Sequence, residues 1–176
     1  MENGQAHTDP KIEVSAASSE QKPVLANLLE LYQHDFSEFM ELAMGRDGRY
    51  GYRDLDLYWT DAKRFPFLIF ADGKLAGFVL VRNISQEAGD APNWDMAEFF
   101  VLRGFRRSSV GTRSALEVFA RLPGHWQVRV MRSNLPACAF WSRTVRLFAG
   151  DSARLHHRSD HGREWNVYSF HSPPSG

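Results

Sequence analysis

A short segment of the chain, 104–117, joins an apolar run to a predicted helix and combines positive charge with small side chains. Its turn residues are Arg106, Arg107, Ser108, Ser109 and Gly111. A helix that begins directly after a strand presents free backbone N–H groups and the positive end of its dipole to an anion. The serines and the glycine leave this backbone accessible, and the arginines can donate charge-assisted hydrogen bonds to phosphate oxygens. The segment therefore predicts a pyrophosphate site; the alternative is that the serines only cap the helix and the arginines are solvated.

A second residue that could do chemistry is Glu98, which lies in the apolar run "WDMAEFFVL". Alternation along a strand places its carboxylate on the same face as Met96 and Phe100. An unpaired carboxylate in a central strand is costly, so either its pKa is raised or it has a partner. A raised pKa predicts a general base. A partner predicts a structural ion pair, for which Arg129 on the neighbouring strand is the candidate.

The elements that must position these residues follow from periodicity and turn chemistry. Strands are predicted at 11–17, in a hairpin over 65–83 that turns at Asp72-Gly73, at 94–102, 126–131 and 163–170, and near 150–157. Helices are predicted from Ser18 to about residue 33, over 34–45, 108–122 and 134–148, with one helical turn within 46–64. The order β-α-α-β-β-β-α-β-α-β predicts an α/β fold with a mixed sheet and helices on both faces.

Composition limits the function. The 176 residues suit one domain, which we place at 11–171 between flexible tails at 1–10 and 172–176. The 21 basic and 21 acidic residues give zero net charge, which argues against a nucleic-acid partner. No signal peptide and no membrane span are expected, and the lone Cys138 favours a reducing, cytoplasmic setting.

Two motifs resemble those of a known family. The segment "FFVLRGFRRSSVGTRSA" resembles the acetyl-CoA-binding segment of the GNAT acetyltransferase superfamily, whose pattern is Arg/Gln-x-x-Gly-x-Gly/Ala at the start of a helix. Here the pattern runs from Arg106 to Gly111, with Ser109 in place of the first glycine, which is tolerable at a negative φ. "NLPACAFW" resembles the next motif, at the expected spacing. The resemblance covers about residues 11–171 and implies a GNAT fold with a mixed, mostly antiparallel sheet of six to seven strands.

The resemblance also implies a binding site for acetyl-CoA as cosubstrate, without a metal. The backbone of Phe99, Phe100 and Val101 would pair with the pantetheine arm. Amides of the turn and the first helical residues would surround the pyrophosphate, and residues of the second motif would line the rest of the groove. The implied site comprises Phe99, Phe100, Val101, Arg106, Arg107, Ser108, Ser109, Val110, Gly111, Thr112, Asn134, Ala137 and Trp141.

The general acid is the point at which this chain departs from the family. Many members protonate the leaving thiolate with a tyrosine at the position of Trp141, and an indole N–H does not act as an acid near neutral pH. Tyr52 and Tyr58 lie in the irregular 46–64 segment, where the family has its acceptor wall, and are the alternative acids. The family often has an acidic residue in this strand that acts on the amine through water, which the resemblance assigns to Glu98.

Other polar groups give weaker predictions. His34, Asp35 and Glu38 follow the first helix and are candidates for amine recognition. The alternative is that they are solvated polar residues at the end of the helix. His157 and His161 lie four apart, but a solvated hairpin loop is favoured over a metal site. Cys138 is expected to be packing.

The predicted function is acetyl-CoA-dependent N-acetyl transfer to a primary amine of a small molecule or a peptide. One alternative is a non-catalytic acyl-CoA-binding sensor or regulatory module with the same fold, which the Trp141 departure favours. Another is transfer of an acyl group longer than acetyl. The family resemblance further implies a homodimer as a common assembly.

Overall fold

The protein is described here by a computed structural model over residues 9–87 and 89–174. Its strands form one seven-stranded sheet in the order β1-β2-β3-β4-β5-β7-β6. The strands are β1 Ile12–Ala16, β2 Arg64–Ala71, β3 Lys74–Asn83, β4 Asn93–Val101, β5 Gly124–Met131, β6 Arg154–Asp160 and β7 Arg163–Ser172. Strands β4 and β5 pair in parallel, and the other neighbouring pairs of the sheet are antiparallel. The predicted mixed, mostly antiparallel sheet is confirmed.

Helices cover both faces of the sheet, as predicted. They are α1 Lys22–Phe36, the single turn α2 Leu57–Thr60, α3 Val110–Arg121 and α4 Leu135–Ala149. The apolar face of α1 packs on β2–β4 with α2, around Leu25, Leu29 and Phe78. Helices α3 and α4 pack on the opposite face, around Phe119 and Trp126. Each face therefore has its own apolar core.

The helix predicted over 34–45 is wrong. α1 continues to Phe36 and is followed by a turn at 37–40 and irregular chain to residue 50. The α-helical hydrogen bonding stops at Ser37, whose Oγ donates to the carbonyl oxygen of His34 at 2.6 Å. The next N–H groups, of Glu38 and Phe39, donate to carbonyl oxygens three residues back, which tightens the chain into a turn. The single helical turn expected within 46–64 is present as α2.

Two local signals placed turns and caps correctly. The hairpin between β2 and β3 turns at Asp72 and Gly73, whose φ values of 50° and 74° suit an Asp-Gly turn. Asn134 caps α4, since its side chain accepts a hydrogen bond from the N–H of Ala137 at 3.0 Å. These signals fix where the candidate motif helix begins.

Both ends of the described chain are hydrogen-bonded to α3. Ser172 was placed in a tail, yet it closes β7, is buried, and donates from Oγ to the carbonyl oxygen of Phe119 at 2.7 Å. At the other end, the carbonyl oxygen of Pro10 accepts a hydrogen bond from Arg113 on α3 at 2.8 Å. The rest of the predicted tails, 1–8 and 175–176, lies outside the described residues. No helix in the described part of the chain is long and apolar enough to cross a membrane.

Candidate active site

A cleft opens where β4 and β5 separate. The two strands are paired only from Asn93 to Met96 on β4, and beyond that point β4 has a strand neighbour on one side only. The cleft has a volume of about 240 Å³. Its walls come from β4, β5, α1 and the start of α4, and the predicted site residues among them are Glu98, Phe99, Asn134, Ala137 and Trp141. The two sequence motifs therefore meet at one opening in the sheet.

A β-bulge orients the carboxylate in this cleft. Leu80 on β3 pairs with Glu98, whereas the next residue, Val81, pairs with Met96, so Ala97 is the extra residue on β4. The bulge moves Glu98 to the face opposite Met96. The predicted shared face with Met96 is therefore wrong, while the one shared with Phe100 is correct, because Phe100 lies in the α1-side core. Glu98 consequently faces α1 and α2.

Two phenols surround the Glu98 carboxylate. Tyr52 donates from its hydroxyl to Oε1 at 3.0 Å, and the Tyr32 hydroxyl is a second hydrogen-bond donor to it. Burial raises the pKa of Glu98, and this effect outweighs the two phenol hydrogen bonds and the charge of Arg82, which lower it. The group is thus a carboxylate that binds a proton more readily than usual, the property a general base requires.

The position of Tyr52 depends on an anchored loop. Both carboxylate oxygens of Glu30 on α1 accept backbone hydrogen bonds from this loop, from the N–H of Tyr50 at 2.8 Å and of Gly51 at 3.0 Å. These bonds tie the 46–56 loop to α1 at the two residues directly before Tyr52. Burial, together with the negative charge of Glu98, raises the pKa of Tyr52, so its phenol keeps its proton.

Tyr58, the other predicted acid, is further from the cleft. It lies near Tyr52, but its buried hydroxyl has no hydrogen-bond partner of normal geometry among the described residues. Burial raises the pKa of Tyr58 to about 12. Neither phenol is a stronger acid than an ordinary tyrosine.

The predicted ion pair between Glu98 and Arg129 is wrong, because another carboxylate binds the arginine. Asp95 is fully buried on β4 and accepts from Arg129 through Nε at 3.1 Å and Nη2 at 3.0 Å. The same carboxylate also accepts from Nε of Arg82 on β3 at 3.2 Å and from its Nη2. Among the described residues, Glu98 is therefore left with neutral donors only.

The free edge of β4 lies along the cleft. Leu102 donates its N–H to the carbonyl oxygen of Ala76 on β3, and backbone direction alternates along a strand. The polar backbone groups of Phe100 therefore also point to β3, whereas those of Phe99 and Val101 point to the open side. The Phe100 side chain packs in the α1-side core. Of the three predicted backbone contacts, the geometry favours Phe99 and Val101.

The turn before α3 has an unusual backbone. Arg107 is exposed and adopts a φ of 61°, which is uncommon for a residue with a side chain. Ser109 has a φ of −71°, the condition for it to replace glycine. Ser108 Oγ donates to the carbonyl oxygen of Phe105 at 2.6 Å and accepts from the N–H of Val110 at 3.4 Å, so the helix start is partly capped. Thr112 completes the first turn of α3, whose leading N–H groups have no intrahelical acceptor.

Arg106 does not extend into the turn. Its Nε donates to the carbonyl oxygen of Val101 at 2.7 Å, and its Nη2 donates to Asp35 on α1 at 2.5 Å. Arg103 donates to the other oxygen of the same carboxylate at 2.5 Å. Burial favours the neutral form of Asp35, but the two arginines lower its pKa below the ordinary value. Asp35 and Arg106 thus link α1 to the end of β4, an arrangement that differs from the predicted roles of both residues.

A side chain at Gly111 would be tightly packed between α4 and β4. A Cβ at this position would lie 3.3 Å from the Phe140 ring and 3.6 Å from the Val101 side chain. On α4, Trp141 is buried against Phe99, with ring centroids 5.0 Å apart. The Trp141 ring is therefore part of the α3–α4 core and also a wall of the cleft.

The remaining candidates lie elsewhere. His34 and Glu38 are at least partly exposed, and His34 is near the Tyr50 hydroxyl at 3.5 Å. The loop expected at His157 is part of strand β6, and no group of side chains suited to a metal ion occurs in residues 9–87 and 89–174. Cys138 is half-buried and packs against the α3–α4 core, as predicted.

Sequence reasoning missed Tyr32 and Asp95. Tyr32 continues the apolar spacing of Leu25, Leu28 and Leu29 on α1, so it was assigned to packing. Nothing local to α1 indicates that its hydroxyl meets Glu98. Asp95 had a detectable signal, because it is a second acidic residue in an apolar strand opposite two arginines.

The fold of the chain matches that of known acetyltransferases. The chain superimposes on an acetyltransferase from Thermus thermophilus with a TM-score of 0.61 and 20% identity, covering 90% of this chain and 96% of that one. It superimposes with a TM-score of 0.61 and 12% identity on the PaiA N-acetyltransferase from Thermoplasma acidophilum in complex with coenzyme A, covering 92% and 99%. For Naa50 from Arabidopsis thaliana in complex with the bisubstrate analogue CoA-Ac-MVNAL, the TM-score is 0.57 at 16% identity, covering 90% and 97%.

At these identities the structural matches show the fold. A search of curated proteins by sequence found no match. The model of the acetyltransferase (GNAT) family matches residues 25–145, more than half of the chain. From the β4–β5 opening, the strand-turn-helix beside it and this match, we conclude that the chain belongs to the GNAT family of acetyltransferases.

Proposed function

We propose that this protein is an acetyl-CoA-dependent N-acetyltransferase that transfers an acetyl group to a primary amine of a small molecule or a peptide. One observation carries the proposal: a buried carboxylate of raised pKa, Glu98, lies where β4 separates from β5. The helix start of α3 lies at the far end of the same β4 edge. A base and an anion site are thus joined by a free strand edge.

The residues along this edge fit acetyl-CoA. The backbone groups of Phe99 and the N–H of Val101 suit an extended amide-containing arm such as pantetheine, while the Val101 carbonyl oxygen accepts a hydrogen bond from Arg106. The leading N–H groups of α3 and the exposed guanidinium of Arg107 suit a pyrophosphate. Coenzyme A and a coenzyme A conjugate are bound in the structures of the Thermoplasma and Arabidopsis proteins, which supports the assignment.

In the proposed reaction, Glu98 acts first as the general base and then as the general acid. Acetyl-CoA supplies a thioester carbonyl that a neutral amine can attack. Glu98 accepts the proton that the amine loses, directly or through water, and Tyr32 and Tyr52 hold the carboxylate in place. Glu98 then returns this proton to the leaving thiolate, because the pKa values of both phenols are raised and protonated Glu98 is the stronger acid. This route needs no tyrosine at Trp141.

The test combines thiol release from acetyl-CoA across a panel of primary amines with calorimetry of acetyl-CoA binding. Wild-type protein should bind acetyl-CoA and release thiol with at least one amine. Glu98→Gln should bind acetyl-CoA normally, lose about 10²–10⁴-fold in transfer rate, and lose the acidic limb of its pH–rate profile. Glu117→Gln, which alters an exposed pair with Arg121 on α3, is the matched control and should retain wild-type rates.

Two other results would change the assignment. Tight acetyl-CoA binding without turnover on any amine would favour the sensor or regulatory module instead. Faster transfer from a longer acyl-CoA would identify a different donor.

A cytoplasmic location and a homodimer stay predictions. Light scattering after size-exclusion chromatography tests the homodimer.

A further inference from the structure

Two guanidinium groups share a single carboxylate at the base of the cleft, where β4 and β5 are still paired. The Asp95 carboxylate accepts hydrogen bonds from Nε and Nη2 of both Arg82 and Arg129. Within residues 9–87 and 89–174, Nη1 of each arginine has no hydrogen-bond acceptor. The cluster therefore carries one uncompensated positive charge and unused donors in a fixed fork geometry.

This charge is accessible beside the proposed base. Arg129 lines the same cleft as Glu98, and its side chain is 36% exposed. Its neighbours on β5, Val128 and Val130, belong to the α3–α4 core, so Arg129 points to the opposite face, the one that Glu98 also faces. α1 packs on β2–β4 and leaves this part of the face open.

The open face beyond Arg129 is also basic. Arg129 pairs with Val167 on β7, and Val167 pairs with His156 on β6, so these side chains share one face. Arg154 and Arg158 lie on that face of β6 as well, with Asp160 as the acidic residue, 3.5 Å from Arg158. The surroundings of the cleft therefore favour an anionic group.

We infer that the amine acceptor carries a carboxylate close to its amine, as an amino acid does. The amine lies at Glu98, and the carboxylate takes the free donors of Arg129, supported by Arg82. Met96 pairs with Val128, which places Arg129 level with Ala97 on the neighbouring strand, one residue before Glu98. The two groups are thus spaced for a small molecule with both functions. This inference rests on the proposed transferase activity and makes Arg129 its specificity-determining residue.

The test uses matched probes: the standard L-amino acids beside their carboxamides, and tyramine and spermidine as amines without a carboxylate. For the best amino acid, wild-type kcat/KM should exceed that of its carboxamide by about 30-fold, as expected when a charge-assisted hydrogen bond in a partly buried cleft is lost. Arg129→Met should reduce this preference to about 3-fold or less, mainly through KM for the amino acid, with unchanged affinity for acetyl-CoA.

Two further variants guard against misfolding and general charge effects. Arg129→Lys keeps the charge next to Asp95 but loses the planar fork, so it should fold and retain only part of the preference. Arg132→Met is the matched control, because Arg132 lies beyond β5 in a long surface pair of 3.8 Å with Glu164. It should keep the wild-type preference.

The outcomes separate the inference from the function on which it rests. Equal use of acids and amides by wild-type protein, or an unchanged preference in Arg129→Met, overturns the inference. Transfer to tyramine or spermidine with no amino acid accepted also overturns it, while the transferase proposal stands. Absence of acetyl-CoA binding in calorimetry overturns the transferase proposal itself.

Discussion

Replacing Asp95 by asparagine tests whether one buried carboxylate holds three strands together at the start of the cleft. Asp95 on β4 binds Arg82 on β3 and Arg129 on β5, and it is fully buried. Asparagine keeps the size of the side chain and removes its charge. The variant then leaves two guanidinium groups facing each other without a counter-ion.

The magnitude follows from burial. Removing one partner of a buried ion pair costs about 3–5 kcal/mol. The arginine side chains are 33% and 36% exposed, so water compensates part of the loss and the lower value, about 3 kcal/mol, applies. For a chain of this size, 1 kcal/mol corresponds to about 2–4 °C in Tm. Asp95→Asn should therefore lower Tm by about 6–12 °C.

The assay is thermal and urea unfolding of Asp95→Asn beside Glu164→Gln. Glu164 pairs with Arg132 at 3.8 Å with both side chains about half exposed, so its neutralisation should cost less than about 1 kcal/mol. If Asp95→Asn unfolds within about 1 kcal/mol of the wild type, the cluster is not what joins β3, β4 and β5, and the reasoning fails.

Three more predictions concern the site. Glu98 has a raised pKa, so its contribution to stability is fully present below its ordinary pKa of 4.5 and is lost as pH rises through the folded-state value; Glu98→Gln should lack this loss and be the more stable protein at about pH 8 in thermal melts. Arg107→Gly removes a charge and relieves a φ of 61°, so it should weaken coenzyme A binding more than pantetheine binding, by about 1–3 kcal/mol, without loss of stability. Gly77→Ala should cost about 3 kcal/mol or more in urea unfolding, because its Cβ would lie 2.0 Å from the carbonyl oxygen of Phe100.

Each of these three predictions has its own control variant or contrary result. A Glu98→Gln variant that is less stable than the wild type at the same alkaline pH would mean that the carboxylate has an ionic partner after all. Arg107→Ala removes the same charge but keeps the strain, so equal stability of the alanine and glycine variants would remove the strain argument. Gly104→Ala is the control for Gly77, since a Cβ there meets nothing within 4 Å.

The sequence predicted the elements that local chemistry specifies. Asp72-Gly73 predicted the hairpin, Asn134 the start of α4, and the serine-rich turn the start of α3. Each of these signals lies within a few residues of the feature it specifies. The two GNAT-like motifs predicted the family for the same reason, since their roles are mostly those of the local backbone.

Long-range contacts were not predictable in this way. The bulge at Ala97 lies in a mostly apolar run, where no alternation reveals an extra residue, and it places Glu98 and Met96 on opposite faces of the sheet. Arg129 pairs with Asp95 and not with Glu98. Both carboxylates lie on the neighbouring strand, and the sequence alone does not indicate which of them the arginine binds. Arg106 likewise forms a hydrogen bond with Asp35, which lies 71 residues earlier in the sequence.

The separation of β4 from β5 has a consequence for how long the protein survives in a cell. Past Met96 the sheet leaves the hydrogen bonds of one strand edge to be completed by a ligand. If that ligand is acetyl-CoA, a concentration of about 100 times its Kd adds about 2.7 kcal/mol to the free energy of unfolding. The unfolded fraction, which proteases attack, then falls about 100-fold. We expect limited proteolysis of the intact chain to slow in step with the supply of acetyl-CoA, which links turnover of the protein to the metabolic state.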